Sequence, residues 1–151
     1  MRPIKETFYL KLNIYLLLAI IPLSVLGYYF AVYRESLFFL YEGLLAALII
    51  FSVILAIRNI AAIQSELKWT AISILAFFAQ FSVLALFLGP LTHYPMIYLY
   101  YTAAVLSFIV FVTAIRKNTA FRLLPVLFIV LTSCFTLYIL LLHSLWGNQL
   151  N

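Results

Sequence analysis

Five long runs of nearly uncharged residues, separated by short polar breaks, dominate this chain of 151 residues. Each run is about as long as the ~20 apolar residues that a helix needs to cross the ~30 Å hydrocarbon core of a bilayer. The composition agrees, because 68% of the residues are hydrophobic and only 9% are charged. We therefore predict an all-α, polytopic integral membrane protein, a single domain built as a bundle of five transmembrane helices. The predicted spans are residues 12–33, 37–57, 69–89, 95–115 and 123–143.

The lysines and arginines indicate how these helices cross the membrane. They are Arg2, Lys5, Lys11, Arg34, Arg58, Lys68, Arg116, Lys117 and Arg122. If the chain is threaded back and forth with its N-terminus in the cytoplasm, eight of the nine lie on the cytoplasmic side and only Arg34 lies outside. An excess of basic residues is typical of short cytoplasmic loops. We therefore predict an N-terminus inside, a C-terminus outside, and a bacterial cytoplasmic membrane as the location.

The formal net charge of +5 does not indicate a nucleic-acid partner. A nucleic-acid-binding surface would need one continuous basic stripe. The basic residues instead form separate clusters beside the apolar runs. The expected partners are the lipid bilayer and, through helix faces, another membrane protein or a second copy of the chain. Gly27 and Gly43 lie at similar predicted depths on the first two helices, so we expect the two backbones to approach closely there.

Local signals bear on where the helices begin, bend and end. The first run has the features of a signal peptide, with a basic segment up to Lys11 and small residues near Gly27. However, its apolar stretch continues through Val32, which favours a spanning helix.

Two proline positions predict irregularities in the helices. Pro22 removes one helical hydrogen bond and predicts a bend. Gly89-Pro90 predicts a sharp end to the third helix.

The sequence offers few groups that could perform chemistry. It contains no aspartate and a single cysteine, Cys134, so it can build neither a Ser-His-Asp triad nor a multi-thiolate metal site. His93 and His143 lie at predicted helix ends, where we expect them to be solvated polar groups. We predict no catalytic residue, no metal site, no cofactor and no enzymatic activity.

Glu42 is the exception, because it is the only acidic residue inside a predicted span. A charged side chain in the membrane must be protonated, be paired or face water, and such residues are often functional. In one interpretation Glu42 is structural and reaches the interface or accepts hydrogen bonds from tyrosines. In the other it belongs to a ligand-binding site with Gln80, Tyr28, Tyr100 and Tyr101, although interfacial packing and interhelical hydrogen bonds would also explain these residues.

Two functions follow from these interpretations. The first is a small multi-pass membrane protein that is a non-catalytic accessory, regulatory or immunity-type component, acting through helix–helix contacts. The alternative is a minimal transporter or sensor for a cation or small amphipathic ligand, in which Glu42 and the tyrosines bind that ligand. The first accounts for the scarcity of reactive groups and the small residues on the helices, and we prefer it.

Overall fold

The computed structural model describes residues 2–88 and 93–147 of the chain. These residues form helices with short links and one 3-10 turn at Glu35–Leu37. The helices are α1 (Arg2–Leu18), α2 (Ile20–Tyr33), α3 (Phe38–Ala62), α4 (Lys68–Leu88), α5 (Pro95–Lys117) and α6 (Leu123–Gly147). Within this described part, five segments are long and apolar enough to cross a membrane, with α1 and α2 together contributing the first. The prediction of an all-helical chain with five such segments is confirmed.

α3 continues past the predicted end at residue 57 and ends at Ala62. Two polar residues beyond position 57 have partners on α1. The Arg58 guanidinium lies 4.4 Å from the centroid of the Tyr9 ring, and Asn59 Nδ2 donates to the Tyr9 carbonyl at 3.4 Å. The stop predicted at Gly89-Pro90 lies outside the described residues.

The first apolar segment is not one continuous helix, because it is interrupted at Ala19, between α1 and α2. Pro22 explains the position of this interruption. Proline has no N–H, so it cannot donate to the carbonyl of Leu18, four residues earlier. The flanking bonds are kept, since Ala19 N donates to the Tyr15 carbonyl at 2.9 Å and Leu23 N to the Ala19 carbonyl at 3.2 Å.

The chain divides into two compact units, Met1–Gln64 and Ser65–Asn151. In the first unit, α3 packs against both α1 and α2. A buried pair of polar side chains, Asn13 of α1 and Ser52 of α3, is hydrogen-bonded at 2.6 Å. Because buried polar groups are costly when unpaired, this hydrogen bond favours one register between the two helices.

The predicted close approach of Gly27 and Gly43 is wrong. Gly27 is buried, but it packs against the Tyr41 ring of α3, and an added Cβ would lie 2.5 Å from two atoms of that ring. An added Cβ at Gly43 would meet no heavy atom within 4 Å. The two glycines therefore have different roles: the first makes room for an aromatic ring, and the second lies on an exposed face of α3.

In the second unit, α4 packs on α5 and α6, most extensively on α5. Aromatic side chains fill much of this core. The Phe77 ring of α4 stacks on the Phe128 ring of α6 at a centroid distance of 4.4 Å, and Phe111 of α5 lies 5.4 Å from Phe128. This cluster holds all three helices together through van der Waals contact, which is the main attraction between helices in lipid.

In each unit considered separately, a basic side chain at the end of one helix lies over an aromatic ring near the start of another helix. In the first unit, Arg58 at the end of α3 covers Tyr9 near the start of α1, whereas Arg34 precedes the start of α3 at the opposite end. In the second unit, Lys117 Nζ at the end of α5 lies 4.9 Å from the Trp69 ring centroid at the start of α4. The end of α3 thus lies beside the start of α1, and the end of α5 lies beside the start of α4.

Candidate functional site

Gln80 lies at the centre of a buried polar network in the second unit. Its side-chain Nε2 donates to the Tyr100 hydroxyl at 3.1 Å, and its Oε1 accepts from the Thr132 hydroxyl at 3.0 Å. Gln80 is 1% exposed and Tyr100 0% exposed. Because these three residues belong to α4, α5 and α6, one amide side chain connects every helix of the unit.

Neighbouring hydroxyls complete this network. The Tyr100 and Thr136 hydroxyl oxygens lie 3.4 Å apart, and Thr136 Oγ1 donates to the Thr132 carbonyl at 2.7 Å. In the described part of the chain, no buried side-chain nitrogen or oxygen lacks a hydrogen-bond partner. Buried polar groups are costly when unpaired, so a satisfied network fixes one arrangement of the helices. Two of the predicted site residues, Gln80 and Tyr100, are thus bonded to each other.

A second polar cluster joins α5 and α6 near the start of α5. Tyr94 Oη lies 2.8 Å from His143 Nε2, and Tyr101 Oη lies 3.2 Å from His143 Nδ1. His143 is half-buried, which differs from the solvated histidine that its position near a helix end predicts, whereas His93 is exposed. A hydrogen bond with Tyr98, followed by burial, raises the pKa of the Tyr94 hydroxyl above its ordinary value, so this hydroxyl keeps its proton at neutral pH.

Glu42 and Tyr28 belong to the first unit, and the structure does not join them. Both are exposed, Tyr28 by 69%, and no hydrogen bond or ion pair connects Glu42 to another described residue of its own unit. Glu42 lies about one turn inside α3. It shares an exposed face with Gly43, Ala46 and Ala47, which follow at the helical spacing of three to four residues. We call these four residues the α3 face.

A groove of about 460 Å³ lies between α5 and α6. Apolar side chains such as Ala104 and Phe108 line it, together with Thr132 and Thr136 of the polar network. Thr132 donates its hydroxyl proton to Gln80 and Thr136 donates to a backbone carbonyl. The groove therefore presents an apolar surface with hydroxyls that are already engaged.

Sequence reasoning missed several of these partnerships. Asn118, at the end of α5, donates through Nδ2 to the Thr70 hydroxyl of α4, and its Oδ1 accepts from Ala120 N at 2.9 Å. The Asn13–Ser52 pair was also missed. The available signal was the same in both places: an amide side chain at or near the end of an apolar run needs a partner that only another helix can supply.

The described residues contain no group of three or more His, Cys, Asp or Glu side chains that could hold a metal ion. Cys134 is exposed on α6. The features that the described residues provide thus include the Gln80 network, the His143 cluster, the groove between α5 and α6 and the α3 face with its carboxylate. No family model, curated protein or solved structure matches this chain.

Proposed function

We propose that the chain is an integral protein of a bacterial cytoplasmic membrane, with its N-terminus inside and its C-terminus outside. Large apolar side chains on the helix surfaces support this, for example Ile21 at 63%, Leu137 at 62% and Leu141 at 64% exposure. Such surfaces are costly in water and are ordinary in lipid. Arg58 and Lys117 support the orientation, since each lies, within its own unit, at the end that would face the cytoplasm.

A fusion experiment tests this orientation. A reporter enzyme that is active only outside the cytoplasm should give signal when fused after Asn151 and no signal when fused after Ala62. The same two fusions to a cytoplasm-dependent reporter should give the reverse pattern, which controls for expression. Signal at Ala62 with silence at Asn151 would contradict the proposed orientation.

Within that membrane, we propose a non-catalytic accessory, regulatory or immunity-type component that acts through helix–helix contacts. The α3 face is the observation that supports this most directly. Glu42 has no hydrogen-bond or ion-pair partner among the described residues of its own unit, and a lone carboxylate at this depth is costly unless it is neutralised or paired. A transmembrane helix of another protein, with a lysine, arginine or other hydrogen-bond donor at the same depth, would supply that partner.

Gly43 adds a second reason to place a partner helix on this face. Glycine inside a helix costs roughly 0.5–1 kcal/mol relative to alanine. Nothing in the described structure uses the space at Gly43, since an added Cβ would meet no atom within 4 Å. Ala47 follows one turn later, so the face offers the small-xxx-small spacing that lets two helix backbones approach closely. A partner helix would account for both the glycine and the acid.

Substitutions on the α3 face test this function. In a pull-down from native membranes in mild detergent, the wild-type chain should recover a stoichiometric membrane protein. Glu42→Ala and Gly43→Ile should each reduce that recovery about tenfold or more, since interhelical polar contacts contribute roughly 1–2 kcal/mol in model peptides. Ala31→Ile, at an exposed alanine of α2, is the matched control and should leave recovery unchanged.

The outcomes separate the candidate functions. Recovery only of a second copy, lost with the same two substitutions, would assign the face to a homodimer. A chain that purifies alone as a monomer would contradict the accessory function.

The alternative function, a cation or ligand transporter, predicts that Glu42→Gln abolishes transport into vesicles while the protein still inserts and accumulates. If Glu42→Gln and Glu42→Ala both keep the wild-type activity in every transport and binding assay, that alternative is contradicted.

A further inference from the structure

The imidazole of His143 is held through both of its ring nitrogens. Tyr94 Oη lies 2.8 Å from Nε2 and Tyr101 Oη lies 3.2 Å from Nδ1. Tyr94 is the N-cap residue of α5, Tyr101 belongs to α5 and the histidine belongs to α6, so the ring connects the two helices. A third tyrosine, Tyr98, places its ring centroid 6.1 Å from the imidazole. The bridge thus consists of a titratable group and two hydroxyls that each contact one nitrogen.

A hydroxyl group can hydrogen-bond to an imidazole in either of its charge states. A neutral imidazole has one N–H, so it donates through one nitrogen and accepts through the other. An imidazolium has two N–H groups and needs two acceptors. A tyrosine hydroxyl can donate or accept by rotating its hydrogen. With Tyr94 and Tyr101 in place, His143 can therefore gain a proton without losing either hydrogen bond.

The titratable groups around the ring are few. They are Tyr98 and Tyr101 on α5 and, directly before that helix, Tyr94, which follows the exposed His93. On α4, residues 69–88 have no charged or titratable side chain. On α6 the others are Cys134 and Tyr138, which are exposed and make no hydrogen bond to the ring within the described residues. Among the residues that the structure describes around this ring, tyrosine hydroxyls are therefore the groups available to stabilise a proton.

We propose that His143, Tyr94 and Tyr101 form a proton-binding site that fastens α5 to α6 more tightly when it is protonated. Histidine is the side chain that ordinarily changes charge between pH 5 and 8. On protonation, both N–H groups donate to tyrosine oxygens, and hydrogen bonds from a charged donor are roughly twice as strong as neutral ones. In the orientation proposed above, the site lies at the outer end of the second unit and responds to the pH outside.

Amide hydrogen exchange of the protein in lipid nanodiscs tests the site. After correction for intrinsic exchange rates, the amides of residues 99–104 should exchange about five- to tenfold more slowly at pH 5 than at pH 8. His143→Gln should remove this difference, because its amide can bridge the two tyrosines without a proton. Tyr94→Phe with Tyr101→Phe should remove it as well, although the histidine remains. Tyr138→Phe, at an exposed tyrosine of α6, should leave it unchanged.

Three results would overturn the proposal. Equal corrected rates at pH 5 and pH 8 in the wild type would show that no proton acts on this contact. Faster exchange at pH 5 would show that protonation loosens the contact. An unchanged pH difference in His143→Gln, or in the double tyrosine variant, would place the responsible proton on another group.

Discussion

Replacing Phe128 with alanine should lower the free energy of unfolding by about 3 kcal/mol or more. Phe128 is 0% exposed, its ring is stacked on Phe77 at 4.4 Å, and Phe111 packs on it at 5.4 Å. Truncation would leave a cavity where α4, α5 and α6 meet. Lipid tails are as apolar as the core, so the transfer of an apolar side chain from lipid to the helix interface changes the free energy little. The loss comes mainly from van der Waals contacts that the cavity removes.

Titration with sodium dodecyl sulfate in mixed micelles, followed by tryptophan fluorescence, measures this change. Phe108→Ala is the matched control, since Phe108 belongs to the same unit but is 47% exposed. We expect Phe108→Ala to cost well under half as much as Phe128→Ala. Equal losses for the two variants would contradict the assignment of Phe128 to the contact that holds the three helices together.

Gln80→Leu should lower the free energy of unfolding by about 1–3 kcal/mol, although leucine is similar in size and more apolar. The substitution leaves the Tyr100 hydroxyl without its donor and the Thr132 hydroxyl without its acceptor. An unpaired polar group in a buried, apolar position costs the free energy of removing it from water. The same unfolding titration measures the loss.

Two further variants make this prediction specific. Ser82→Ala, on the same helix, removes only a bond from the serine hydroxyl to the Phe78 carbonyl of its own helix, and should change stability by less than about 0.5 kcal/mol. The double variant Gln80→Leu with Tyr100→Phe should cost less than the sum of the single changes, because both remove one shared hydrogen bond. Strict additivity would show that Gln80 and Tyr100 do not stabilise the protein through each other.

The helical architecture was predictable because it depends on the length of apolar runs. The start of the second predicted span, the start of α5 and the start of α6 agree with the structure to within about one residue. The effect of Pro22 was also predictable in kind, since a missing N–H interrupts any helix. The extension of α3 to Ala62 was not, because it depends on Tyr9, a residue fifty positions away from Asn59.

The candidate site was predictable only as a set of residue types. Gln80 was predictable as a candidate for interhelical bonding, but its bonds to Tyr100 and Thr132 depend on how three helices are rotated about their axes. His143 was expected to be solvated, whereas Tyr94 and Tyr101 contact its ring nitrogens. Gly27 was expected to lie against Gly43, whereas it faces Tyr41.

The sequence by itself determined that this chain has five helical segments long and apolar enough to cross a membrane, with Glu42 as the acidic residue inside a predicted span, because the length and charge of a run do not depend on its neighbours. The tertiary structure alone decided which side of each helix faces another helix. In a soluble protein, the apolar stripe of a helix marks its buried side. Helices that are apolar all round have no such stripe, so the partners of Gln80, His143 and Gly27 and the exposure of Glu42 emerge only when the helices are packed.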